Sequence, residues 1–248
     1  MRSEGGCRGM LYQTGTIRSL MAGVDVGDTP IKTLNEYGDF GLGTFDGVNG
    51  EMIVLNGEVW RADGRGILHR AAAEEETPFA VVCRFRPTLR FRLEKGGELS
   101  ELERDISRRF DSENLIYALH VRGRFSRLHL RSEKRHAATH RPLADVLPLF
   151  QTAFSLREVR GDLVGFWFPR YMEAINLPGF HFHFLDAPRR HGGHLFAGRY
   201  DSVTVDIMPI FDFGMHLLHT PLFEHVTLSA SRSGETEAVE QGEKPNQK

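Results

Sequence analysis

The stretch GFHFHFLDAPRRHGGH, residues 179–194, holds His181, His183, His191 and His194. Imidazole nitrogen suits zinc, and a catalytic zinc site uses three protein ligands with a further position left to water or substrate. In a β-strand successive side chains point to opposite faces, so His181 and His183 share one face while Phe180, Phe182 and Phe184 share the other. Such a strand buries its aromatic side and presents two nitrogen ligands in parallel. A third ligand has to return from elsewhere. His194 follows Gly192-Gly193, where the second strand of a hairpin would bring it back, and the glycines permit close approach of backbone to the metal shell. His191, in the polar loop DAPRRHGG, is the other candidate and is expected to be exposed. HxH by itself is a weak signal, since most such pairs are surface or hydrogen-bonded histidines. A site of three histidines with an open position serves hydration, hydrolysis, decarboxylation, isomerisation or, with iron, oxygen chemistry, so spacing leaves the reaction open.

The elements that position these residues are mostly strands. Residues 37–66, YGDFGLGTFDGVNGEMIVLNGEVWRADGRG, read as short strands joined by glycine turns, with MIVLNGEVW a hairpin about Asn56-Gly57. PFAVVCRFRP and TLRFRLE follow, and from residue 114 onward come LIYALHVRG, FSRLHLRS, VRGDLVGFWFP, GFHFHFL, GHLFAG and YDSVTVDIMPI. Helical signals are few: TIRSLMAG near residue 16, LSELERDISRRF from residue 99, and PLADVLPLFQTAF from residue 142, interrupted by Pro148. The expected fold class is strand-dominated α+β, a mixed β-sheet half and a β-barrel-like half carrying the metal site. Residues 11–229 are expected to form one catalytic unit, with the sheet half over about 11–140 and the zinc-binding half over about 141–229. Residues 1–10 and 230–248 read as polar tails. Phe180, Phe182, Phe184 and Trp167 read as core rather than as a substrate box.

The chain has 248 residues, 40% of them hydrophobic, enough for a core without disulfide staples. Only Cys7 and Cys83 occur and they form no CxxC pair, so any metal is held by histidine and carboxylate. A net charge of −2, from 31 basic and 33 acidic residues, argues against a general grip on nucleic acid. The basic stretch at 122–141 reads as a solvated strand face. No apolar signal region or membrane-length apolar run occurs, and the expectation is a soluble cytoplasmic protein without a membrane partner.

The blocks GDFGLGTFDGVNGEMIVLNG, FSRLHLRS, LVGFWFPRYMEAINLPGFHFHFL and GGH, in this order, resemble the signature blocks of the alpha-acetolactate decarboxylase family. LYQTGTIRSLMAG and TPFAVVCRFRP fit the same pattern, so the resemblance covers residues 11–229. It implies a zinc-dependent carboxy-lyase that converts 2-acetolactate to (R)-acetoin and CO2 in acetoin biosynthesis, and a homodimer. The implied Zn2+ ligands are His181, His183 and His194; the implied active-site residues are Glu51 in GEMI, Arg131 after FSRLHL, Thr44 in GTF, and Glu240 in the tail. Acetolactate carries a hydroxyl beside its ketone, so both oxygens can chelate zinc, and the metal can stabilise the enediolate left when CO2 departs. Arg131, taken alone, would more often be a surface ion-pair partner, and Thr44 a turn residue.

The segment SEKRHAATHRPL departs from the Pro-rich, tyrosine-containing sequence usual in the family, and His191 is not characteristic of it. Two rival readings remain at this point. A cupin-like oxygenase also uses HxH with a distant His, and a zinc-stabilised binding module would have no open coordination position. The ordered blocks favour the decarboxylase over both.

Overall fold

The computed structural model describes residues 9–135 and 141–228. The first part of the chain forms β1 (Met10–Thr14), α1 (Ile17–Met21), β2 (Thr29–Pro30), α2 (Ile31–Tyr37), β3 (Phe40–Thr44), β4 (Glu51–Leu55), β5 (Glu58–Ala62), β6 (Leu68–Arg70), β7 (Glu76–Thr77) and β8 (Ala80–Cys83). The remainder forms β9 (Leu89–Leu93), β10 (Gly97–Glu98), α3 (Leu99–Ser107), β11 (Ile116–Glu133), α4 (Leu143–Phe150), β12 (Gln151–Phe168), β13 (Gly179–Asp186), β14 (Gly192–Ile210), β15 (Asp212–His216) and α5 (Pro221–His225). This is the expected strand-dominated α+β class.

A seven-stranded sheet runs β15-β1-β8-β3-β4-β5-β6. It is mixed, because β15 pairs with β1 in parallel while the other neighbours pair antiparallel. The turn between β4 and β5 is Asn56-Gly57 as expected, with φ of 55° and 78°, the left-handed pair that a tight hairpin with native twist requires. The second sheet has six strands, β10-β14-β11-β12-β13 with β9 added on β14. In it β13 pairs with β12 on one side and with β14 on the other, so the pairings return on themselves; a complete barrel is not assigned.

Several expected strands prove to be parts of longer ones. LIYALHVRG and FSRLHLRS lie on the single 18-residue β11, and GHLFAG and YDSVTVDIMPI on the 19-residue β14. Register shifts near Phe125 and His129 absorb the irregular residues without a turn. The expected third helix is shorter than its apolar pattern. α4 stops at Phe150, because Gln151 pairs with Glu133 and opens β12. Sequence reading missed α2, whose N-terminus has no side-chain cap. It also missed α5, although Thr220 accepts from the Phe223 amide and Pro221 occupies the first turn, both start signals.

The two sheets pack through one apolar cluster that joins Leu42, Ile53 and Val81 of the first to Val164, Phe166 and Met208 of the second. Ile17 and Leu20 of α1 and Leu143 and Leu147 of α4 belong to the same cluster, so both helices close one end of the inter-sheet space. A second cluster lies within the six-stranded sheet and includes Phe125, Leu163, Phe182 and Phe184, capped by Leu102 and Ile106 of α3. α2 covers the outer face of the seven-stranded sheet with Ile31 and Leu34. No helix among the described residues is long and apolar enough to cross a membrane.

Candidate metal centre and its pocket

Alternation on β13 sends Phe182 and Phe184 into the core of the six-stranded sheet and turns His181 and His183 toward the seven-stranded sheet. The hairpin to β14 sets His194 opposite His183, and the next strand over, β11, sets Arg131 opposite His194. Arg131, His194 and His183 therefore stand in one cross-strand row. Neighbouring backbones come close here: a Cβ on Gly193 would lie 2.8 Å from the Arg131 carbonyl, and the residue has a φ of 158°. Both facts favour glycine.

The three imidazoles are buried and converge. His181 Nε2 lies 3.2 Å from His183 Nε2 and 3.2 Å from His194 Nδ1. Two nitrogens bound tetrahedrally to zinc at its usual bond length would be separated by roughly 3.3 Å, so the cluster has the spacing that the metal needs. The ring of His183 is oriented by β4: its Nδ1–H donates to the Met52 carbonyl at 2.8 Å, leaving Nε2 as the lone-pair nitrogen facing the cluster. Burial, together with the charge of Arg131, pushes His181 down to about 3. It is thus neutral at pH 7, the form that ligates metal. Cys83 offers no alternative ligand, since it lies in the apolar core, where burial pushes its thiol up.

The seven-stranded sheet contributes the carboxylate. Glu51 begins β4, is only 8% exposed, and brings Oε2 to 3.2 Å from His183 Nε2 and Oε1 to 4.0 Å from His194 Nδ1. Thr44 pairs with Glu51 across the hairpin, and its hydroxyl donates to the Gly50 carbonyl at 2.9 Å, bracing the intervening loop. Arg131 is buried at 4% exposure rather than on the surface, with Nη2 3.3 Å from His194 Nε2. Thr44, Glu51, Arg131 and the three histidines line one pocket, whose other walls include Ile17, Leu20, Val48, Phe79, Leu143 and Leu147.

His191 stands outside this group, paired with Asp186 at 3.2 Å and with 42% of its side chain exposed. Glu240 lies outside the described residues. Sequence reading missed Glu133, a second buried carboxylate in the pocket. Its only signal is position, two residues beyond Arg131 on the same strand and hence on the same face.

Fold and site together define a protein able to hold a metal ion on buried histidines beside a pocket lined by both acidic and basic side chains. The profile of the alpha-acetolactate decarboxylase family matches residues 11–230, and the chain belongs to that family. An alpha-acetolactate decarboxylase of Methanosarcina mazei is 41% identical over 204 residues, covering 82% of this chain and 70% of the relative. That of Brevibacillus brevis is 32% identical over 233 residues, covering 94% and 81%. The crystal structure of the Bacillus subtilis strain 168 enzyme superimposes with a TM-score of 0.91 at 29% identity, covering 94% of this chain and 99% of that one.

Proposed function

We propose that this chain decarboxylates 2-acetolactate to (R)-acetoin and CO2 at a zinc ion held by His181, His183 and His194, with residues 11–229 acting as one catalytic unit. The observation that carries the reading is the convergence of three buried imidazoles with Glu51 and Arg131 in one pocket, in a chain of this family. When bound, the ion supplies a Lewis acid for the substrate's ketone and hydroxyl oxygens and a countercharge for the electron pair left by CO2. Arg131, a permanently charged planar fork, orients the substrate carboxylate before the C–C bond breaks. Glu51, on the opposite sheet, takes the hydroxyl proton and returns it to carbon after CO2 has left, while water supplies the one proton that the net reaction consumes and that restores the hydroxyl. Thr44 keeps the loop before Glu51 in place. The apolar wall from α1 and α4 accommodates the substrate methyl groups and keeps water from the reacting carbon.

The test is to incubate the purified protein with racemic acetolactate and assay acetoin with and without a chelator. Acetoin and CO2 are expected in equal amounts, with loss of activity on chelation and return on adding zinc. Absence of acetoin from the zinc-loaded protein would overturn the reading.

The homodimer reading draws on the edge of the seven-stranded sheet. Among the described residues β15 pairs only with β1, and along and beside it Phe211, Phe213, Met215 and Leu217 are exposed by 58%, 38%, 37% and 48%. An open edge flanked by alternate large apolar side chains invites pairing with another strand, here that of a second copy. Sedimentation should give a dimer for the natural chain and a monomer for Phe213→Lys; a natural chain that is monomeric at micromolar concentration would dispose of this interface.

A further inference from the structure

We infer that Glu133 is a specificity-determining residue: its carboxylate keeps a second negative charge out of the inner pocket, so that an uncharged alkyl group of the substrate points there while the substrate carboxylate goes to Arg131. The inference rests on the decarboxylase reading and concerns the substrate class that the same pocket accepts.

Glu133 and Arg131 both line the pocket and are each only 4% exposed. They lie two residues apart on β11, on the same face, and so are separated along the strand by roughly 6.7 Å. The pocket wall thus carries a guanidinium and a carboxylate from successive same-face positions of β11. Gln151 Nε2 donates to Glu133 Oε1 at 3.2 Å from the facing position on β12, which fixes where the carboxylate points. Leu143 and Leu147 of α4 complete the lining as apolar surface. A substrate bearing one carboxylate can satisfy Arg131 and turn its alkyl group to the leucines. A substrate whose alkyl group carries another carboxylate would bring two like charges close together in a partly dry pocket. At a separation of about 6 Å and an effective dielectric of about 20–40, this disfavours binding by roughly tenfold to a hundredfold.

The experiment measures, by calorimetry on the zinc-loaded full chain, the binding of 2-hydroxyisobutyrate, which has one carboxylate, and 2-hydroxy-2-methylsuccinate, which has two. The natural protein should prefer the monoacid by at least about tenfold. Glu133→Gln keeps the volume and an oxygen for the Gln151 bond but removes the charge. It should tighten the diacid by about tenfold or more and leave the monoacid within about threefold. Glu133→Asp, which restores the charge, should restore the preference. A merely structural glutamate would move both acids together. Parallel shifts, no shift in Glu133→Gln, or equal affinities in the natural protein would each overturn the inference. Failure of the decarboxylase reading shows separately, as absence of acetoin from a protein that still discriminates between the two acids.

Discussion

Replacing His194 with alanine is expected to remove most of the bound zinc and all measurable decarboxylation. His194 is the member of the cluster that lies between the other parts of the site, opposite His183 on one side and Arg131 on the other. Without it, His181 and His183 remain as two imidazoles on one strand, and a two-nitrogen site holds the ion far more weakly than three. Since changes merely around zinc ligands cost about 10–100-fold in affinity, loss of a ligand should cost at least about 100-fold. The fold should survive, because the large apolar clusters include none of these histidines. Metal content after dialysis, acetoin production and near-ultraviolet circular dichroism read the three outcomes. Stoichiometric zinc together with natural turnover in His194→Ala would sink the assignment.

The second large effect is expected at Glu51. Glu51→Gln keeps the shape of the side chain and an oxygen beside His183, but it can no longer accept a proton. Zinc should stay bound while kcat falls by about 10²–10⁴-fold, the usual weight of a positioned acid–base group. The acid limb of the kcat–pH profile, where a carboxylate base is lost by protonation as the pH falls, should disappear in the variant. Unchanged kcat with an intact acid limb would assign proton transfer to another group. A loss of zinc as large as the loss of rate would instead make Glu51 a ligand.

Much of this site was legible in the chain. The two-residue period of a strand puts His181 and His183 on one face whatever the tertiary structure, and the Phe residues between them fill the core as that period requires. The placement of His194 followed from the hairpin, because the turn between β13 and β14 sets the register that opposes it to His183. Residues that reach the pocket from another sheet were beyond such reasoning. Nothing local to Met52 says that its carbonyl will receive His183, 131 residues away, since that contact exists only after the sheets dock. Glu51 and Arg131 were reached through resemblance alone, for a lone glutamate or arginine is ordinarily a surface residue. Glu133 escaped because a buried carboxylate differs from an exposed one only in its surroundings. The fused strands β11 and β14 escaped because bulges and turns draw on similar residues, and only the partner strand decides between them.

The docking of His183 onto Met52 has a consequence for how such an enzyme can change. The three clustered histidines and Arg131 come from strands of one sheet, and Glu51 and Thr44 from a hairpin of the other. On the proposed roles, ion capture and proton handling would therefore fall to separate sheets that meet at one seam. Substitutions within the β3–β4 hairpin away from Glu51 would then be expected to act on proton transfer, and substitutions around β13 and β14 away from His183 on metal preference, the two meeting where Glu51 lies 3.2 Å from His183. At that seam one backbone carbonyl, which no side-chain substitution removes, orients the His183 ring.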